Sequence, residues 1–178
     1  AAAVFTEAGY QHQVDVLMRH SDAAPDRPAD PAITVESVAW QDLGEVDRRS
    51  WRDDLPNASA EAIEQLVRRR ATKLLGADEV RFLAVRDDAG EVVSRAELYL
   101  DAARGIGQIE ELMTRPGYGG RGYARAILAD GLRRALDAGC DLVFLEAEAD
   151  DWPRQLYAKL GYVTVGQVHV FTRRAPNH

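Results

Sequence analysis

The chain is poor in the residues on which several chemistries depend. One of its 178 residues is cysteine, Cys140, so no internal disulfide can form and a reducing compartment, the cytoplasm, is the expected setting. Cys140 stands between Gly139 and an apolar run, where a small buried filler fits better than a nucleophile. The four histidines, His12, His20, His169 and His178, lack metal-ligand spacing, and no metal is expected. No apolar run is long enough to cross a membrane and no signal-peptide pattern opens the chain, so no membrane partner is expected. Basic charge is short as well: the net charge of −7 argues against a nucleic-acid partner, which needs a basic face. The run Arg68-Arg69-Arg70 is brief, lies on a predicted helix and reads as a solvated face.

What remains is an ordinary globular composition, 46% hydrophobic, enough for one domain with a short appendage. Residues 22–32 hold three prolines and three aspartates and read as a linker. The expected division is therefore an arm, residues 1–31, carrying a strand and that linker, and a main body, residues 32–178. In the arm, Gln13-Val14-Asp15-Val16 echoes Gln167-Val168-His169-Val170, and each follows a Gly-Tyr pair. Two edge strands with similar demands explain the echo; a relic of duplication, with the arm as an added or swapped strand, is the sharper alternative. A spare strand also makes a homodimer reasonable.

The main body opens with an alternating strand, Ile33 to Val38, and a helix from about Asp42 to Arg52. Ser59 suits the N-cap of a second helix reaching about Leu75, with Ile63, Leu66, Val67 and Leu74 as its apolar stripe. Strands follow at Val80–Arg86 and Val92–Leu100 around the turn Asp87-Asp88-Ala89-Gly90. A third strand, Gln108 to Thr114, breaks its own alternation, because Ile109 and Leu112 are three apart. A β-bulge near Glu111 to Met113 repairs this; burial on both faces is the alternative. A long helix from about Tyr123 to Ala138, a strand from Asp141 to Ala149 and a short helix begun by Asp150-Asp151-Trp152-Pro153 come next. Aspartate is expected to cap that helix, with proline in its first turn. A hairpin around Gly166 is expected to end the chain.

The densest signal is Thr114-Arg115-Pro116-Gly117-Tyr118-Gly119-Gly120-Arg121-Gly122-Tyr123-Ala124. A strand, a glycine-dense turn and a helix start form an anion site, since glycine lets the backbone approach and the first helical N–H groups point outward. A phosphorylated ligand is expected here.

With the order of elements, the turn Gly119-Gly120-Arg121-Gly122-Tyr123-Ala124 and the later Leu156-Tyr157-Ala158-Lys159-Leu160-Gly161-Tyr162, the chain resembles the GNAT superfamily of acyl-CoA-dependent N-acetyltransferases over about residues 32–174. The resemblance implies an α+β fold: a central mixed, mostly antiparallel twisted sheet flanked by about four helices, here with an extra N-terminal strand. It implies acetyl-CoA as co-substrate and a small-molecule or peptide amine as acceptor, by direct transfer. The turn would cradle the coenzyme's diphosphate through Gly119, Gly120, Arg121, Gly122, Tyr123, Ala124 and Arg125. Leu112, Met113 and Thr114 would hold its pantetheine arm. Asp150 stands where the family often has asparagine, and Tyr157 at the place of the phenol that protonates the leaving thiolate. Gly119 replaces the family's Gln or Arg. Gln108 stands where histone-type members carry a glutamate base, which leaves Glu110 on the same strand face as the expected base and Glu111 as the residue a bulge would redirect. A coenzyme-A-binding sensor without transferase chemistry carries the same turn and stays open. The loop Asp53 to Ala58 and the last hairpin would select the acceptor, with Trp40, Trp51, Trp152, Tyr99 and Phe171 as candidate lining.

Overall fold

The computed structural model describes residues 2–173; Ala1 and residues 174–178, among them His178, lie outside the described residues. In chain order the elements are α1 (Ala2–Glu7), β1 (Gln11–His20), β2 (Glu36–Val38), α2 (Gly44–Asp54), α3 (Ala60–Arg69), β3 (Glu79–Arg86), β4 (Val92–Asp101), β5 (Ile106–Thr114), α4 (Tyr123–Asp137), β6 (Leu142–Glu148), α5 (Pro153–Lys159) and β7 (Tyr162–Thr172). Two compact units result: residues 28–143 form the larger, and residues 1–27 with 144–178 the smaller.

In the larger unit β2, β3, β4 and β5 pair in that order, each antiparallel to its neighbour. Asp87 closes the β3–β4 turn by accepting the N–H groups of Ala89 and Glu91 on Oδ1, each at 3.0 Å. Strand β4 is buried from Val92 to Leu100, on both faces. One face meets α4. Gly131 lets that helix lie close, for a Cβ there would stand 3.1 Å from Ile109 Cδ1 and 3.4 Å from Leu83 Cδ1. Ile127, Leu128 and Ala135 of α4 are buried against this layer, each large side chain contributing about 1.5–3 kcal/mol by burial. The other face packs Phe82, Ala84 and Val92 against Leu43 and Val46 from the start of α2, with Met113 at the margin.

Helix α3 starts as expected, with Ser59 Oγ accepting the Ala62 N–H at 3.1 Å. It ends earlier than expected: after Arg69 the chain tightens into a 3₁₀ segment, Arg70–Leu75. Leu74 therefore leaves the apolar stripe and is 47% exposed. Arg70 goes the other way. It is buried, not part of a solvated face, because carboxylates await it inside.

In the smaller unit β1 lies between β6 and β7, antiparallel to both. The arm's strand is thus interior to its sheet, where an edge strand was expected; alternation reports a strand's faces and not its neighbours. The echoing segments face one another around a local two-fold, with Gln13 opposite Val170 and Val16 opposite Gln167. No hairpin forms at Gly166. Strand β7 runs unbroken from Tyr162 to Thr172, Gly166 pairs with Leu17, and Val165 is the surplus residue that lets the ladder continue. Helix α5 has Pro153 in its first turn but no aspartate cap: its N-cap is Trp152, and Asp151 Oδ1 instead accepts the N–H of Trp152 at 2.7 Å. The segment after β1 is tied down, since Ser21 Oγ donates to the Gly161 carbonyl at 2.7 Å and the Asp26 N–H to the Lys159 carbonyl at 2.9 Å.

Candidate active site

The irregularity in β5 is a bulge. Met113 pairs with Arg95 and Glu110 with Glu97, so Glu111 and Leu112 together oppose Ala96. Its cause is visible in the packing. Ile109 faces α4, whereas Met113 packs with Leu43 and Phe82 on the opposite face. Four residues apart on a regular strand, they would share one face, and one surplus residue separates them. Glu111 takes the strain, with φ at 54°, a left-handed conformation that non-glycine residues rarely adopt. Its carbonyl, displaced from the ladder, accepts a hydrogen bond from Arg95 Nη1 at 2.8 Å.

On the face turned toward α2, Gln108 Nε2 donates to the Glu110 carboxylate, so these two share a face as expected. Glu110 is half-buried, and burial pushes its proton affinity above the ordinary glutamate range. The Glu111 carboxylate lies 3.5 Å from Lys73 Nζ and 3.8 Å from Arg95 Nη1.

Behind them stands a buried network that periodicity did not reveal. Asp47 accepts from Arg70 Nε and Nη2 at 2.5 and 2.9 Å. Arg70 Nη1 and the Tyr99 hydroxyl both donate to Glu97, which is 0% exposed. Lys73 Nζ is 3.6 Å from Glu97 Oε2. Arg95 Nε lies 2.7 Å from Asp47 Oδ1 without the alignment of a hydrogen bond. Burial lowers the Arg95 proton affinity and raises that of Tyr99, which remains a neutral donor. One signal for this network was in plain sight: Arg95 and Glu97 are the only charges inside Val92–Leu100, a strand buried on both faces. Of the four carboxylates around β4 and β5, Asp47, Glu97, Glu110 and Glu111, Glu110 alone has no cation within ion-pair distance among the described residues; it accepts from Gln108, and Lys73 acts on it from farther away.

The glycine turn follows the bulge directly. Gly117, Gly120 and Gly122 have φ of 83°, 75° and 90°. A Cβ on Gly117, Gly119 or Gly120 would meet nothing within 4 Å, so one side of the turn is open. Gly119 does not share the positive φ, and a side chain there would be unstrained. Gly122 is the N-cap of α4 and, being glycine, offers no side-chain cap to the first turn of the helix. The turn is braced from below: Tyr118 donates to Asp87 Oδ2 at 2.8 Å and holds that carboxyl below the usual aspartate range. The guanidinium groups of Arg115 and Arg121 lie 5.3 and 5.0 Å from the Tyr118 ring centre.

The remaining expected residues belong to the smaller unit. Tyr157 on α5 is 7% exposed, its ring centre 6.4 Å from that of Tyr162, and burial raises its proton affinity. Tyr162 has a buried hydroxyl with no partner among the described residues. Asp150 is exposed at the turn before α5 and borders an open depression of about 1040 Å³ with Tyr10, His12 and Glu148. Of the aromatic candidates for the acceptor side, Tyr99 is buried in the ionic network and Trp152 is 64% exposed.

The model of the Acetyltransferase (GNAT) family matches residues 40–162. No curated protein matches the chain. Solved structures share the fold at low identity. A conserved protein of unknown function from Staphylococcus epidermidis has a TM-score of 0.67 at 16% identity, over 96% of this chain and 65% of its own. A GCN5-related N-acetyltransferase from Sphaerobacter thermophilus has 0.61 at 21%, over 96% and 54%. The PaiA N-acetyltransferase from Thermoplasma acidophilum, in complex with coenzyme A, has 0.52 at 19%, over 72% and 87%. The chain thus spans just under two thirds, or about half, of the first two of these proteins.

Proposed function

From the GNAT acetyltransferase family, to which this chain belongs, we propose that it moves an acetyl group from acetyl-CoA to a primary amine, of a small molecule or a peptide, by direct transfer in the cytoplasm. The observation that carries the reading is the β5 bulge at Glu111–Leu112 leading straight into the open glycine turn and the uncapped start of α4. The residues present suit the co-substrate. A diphosphate needs close backbone approach and outward N–H groups, which Gly119 to Arg125 would supply. An extended pantetheine arm needs strand-like backbone partners, the role of Leu112, Met113 and Thr114. Asp150 is assigned to the coenzyme by resemblance alone.

Acetyl-CoA supplies the acyl group as a thioester. The residues do the rest. Glu110, with no cation within ion-pair distance among the described residues and raised in proton affinity by burial, takes a proton from the incoming ammonium, and the freed amine attacks. A backbone N–H freed at the bulge steadies the oxyanion. Glu111 orients the amine and does not carry its proton, since Lys73 and Arg95 already face its carboxylate. Tyr157 gives a proton to the departing sulfur; its depressed acidity keeps that proton in place until the sulfur becomes basic.

Calorimetric titration with acetyl-CoA, paired with thiol release across a panel of amines, tests the reading. Binding with release on at least one amine supports it, and Tyr157→Phe should then lower turnover about 10²-fold or more with little change in coenzyme affinity. Binding without release on any amine favours a coenzyme-A sensor instead, to which Gly119 and Gln108 as departures lend some weight. No binding removes both.

A further inference from the structure

Of the 22 lysines and arginines in the chain, only Lys73 and Lys159 are lysine. One of these two primary amines already sits among the carboxylates of the candidate site. Lys73 Nζ lies 3.5 Å from Glu111 Oε1, the bulge residue, and 3.6 Å from Glu97 Oε2. It is close enough to Glu110 for the two charges to interact. Its side chain is 31% exposed, so it can be reached. It borders a small crevice with Trp51, Leu66 and Arg69, on the sheet face that carries Glu110. Its backbone is fixed in the 3₁₀ segment after α3, where the Lys73 carbonyl accepts the Gly76 N–H at 2.9 Å. An arginine would pair with Glu97 and Glu111 equally well, and arginine fills nearly every other basic position. What lysine adds is an amine that can be made nucleophilic.

We propose that Lys73 is a self-acetylation site: in the absence of a free acceptor, its ε-amine takes the acetyl group within its own chain. The inference rests on the transferase reading above. Glu110 accepts one proton from the Lys73 ammonium through a water; the freed nitrogen attacks the acetyl carbon; the new N–C bond forms as the C–S bond breaks. The sulfur leaves as the thiol with the proton assigned to Tyr157; the second proton of the attacking nitrogen goes to water, Tyr157 regains its proton from water, and Glu110 returns its own to water. The product amide is neutral, so Glu97 and Glu111 lose their lysine partner in the modified chain.

The test is incubation of the full chain with acetyl-CoA and no amine, followed by peptide mass mapping. A mass gain of one acetyl group should appear at Lys73, at an occupancy roughly 10-fold or more above Lys159, because a positioned amine reacts at high effective concentration. The half-time should not change with protein concentration. Lys73→Arg should remove the label, Lys159→Arg should keep it, and Glu110→Gln should slow it about 10-fold or more. Equal labelling of both lysines, indifference to Glu110→Gln, or a rate that rises with protein concentration would overturn the proposal. An unmodified Lys73 in protein that still releases thiol on an added amine would sink the self-acetylation alone. No label and no release on any amine would sink it together with the transferase reading.

Discussion

Strands β5 and β7, one in each unit, both carry a surplus residue, and the two could hardly differ more. In β5 the surplus is absorbed at Glu111, with φ at 54°, a carbonyl caught by Arg95 and a carboxylate beside Lys73. In β7 it is Val165, 57% exposed and without a positive φ. One bulge is strained, braced by buried charge and followed by an open glycine turn. The other merely keeps two twisted strands in step. A bulge alone therefore says little about function, and the groups that hold it say much.

If buried charge is what separates the two, removing its hub should have the largest effect. Arg70 joins Asp47 to Glu97, all three buried. Arg70→Ala leaves two carboxylates in the interior with fewer donors, and stability should fall by about 3–5 kcal/mol. A urea midpoint unchanged by this substitution would break the comparison, for the network would then be ornamental.

Next in size is Glu110→Gln, expected to lower turnover about 10²-fold or more. In the parent protein turnover should rise with pH through a midpoint above the ordinary glutamate value, because only the ionised carboxylate accepts a proton and burial opposes ionisation. Stability moves oppositely. The folded state holds this proton more tightly than the unfolded chain, so its contribution is complete below the unfolded value and is lost as pH climbs through the folded one. At neutral pH the glutamine variant should thus melt no lower than the parent. A lower melting temperature would recast Glu110 as structural.

These residues were unequally legible in the sequence. The α4 periodicity, the turn and the broken alternation of β5 are local, and each signals itself within a few residues. The network is not local: Arg70 meets Asp47 across 23 positions and Glu97 across 27. A run of three arginines, Arg68 to Arg70, on a predicted helix reads as a solvated face, and nothing local marks Arg70 as the buried one. The place of β1 between β6 and β7 was hidden for a related reason, since an alternating pattern does not say what pairs along a strand's edges. Gly166 resembled a turn because glycine marks both turns and irregular ladders.

A smaller effect probes the strain. Glu111→Gly relieves a left-handed conformation worth about 1–2 kcal/mol, while glycine adds unfolded-chain entropy worth roughly 0.4–1 kcal/mol. The Glu111–Lys73 contact is long and its acid half exposed, so its loss weighs little. The net is a gain in stability of about 0–1.6 kcal/mol. Denaturant titration would show it, and a clear loss would mean the carboxylate, rather than Arg95, holds the bulge.

The smallest change belongs to the other bulge. Val165→Thr keeps the β-branched shape that suits a strand and swaps an exposed methyl for a hydroxyl in water. No buried contact, charge or strained dihedral is touched, so stability should stay within about 0.5 kcal/mol, and acetyl transfer should not change. This outcome is informative because the two sites share a backbone irregularity and differ in everything else. Should Val165→Thr cost as much as a substitution in the β5 network, the irregularity itself would be the sensitive element, and the emphasis on Arg70, Glu97 and Arg95 would be misplaced.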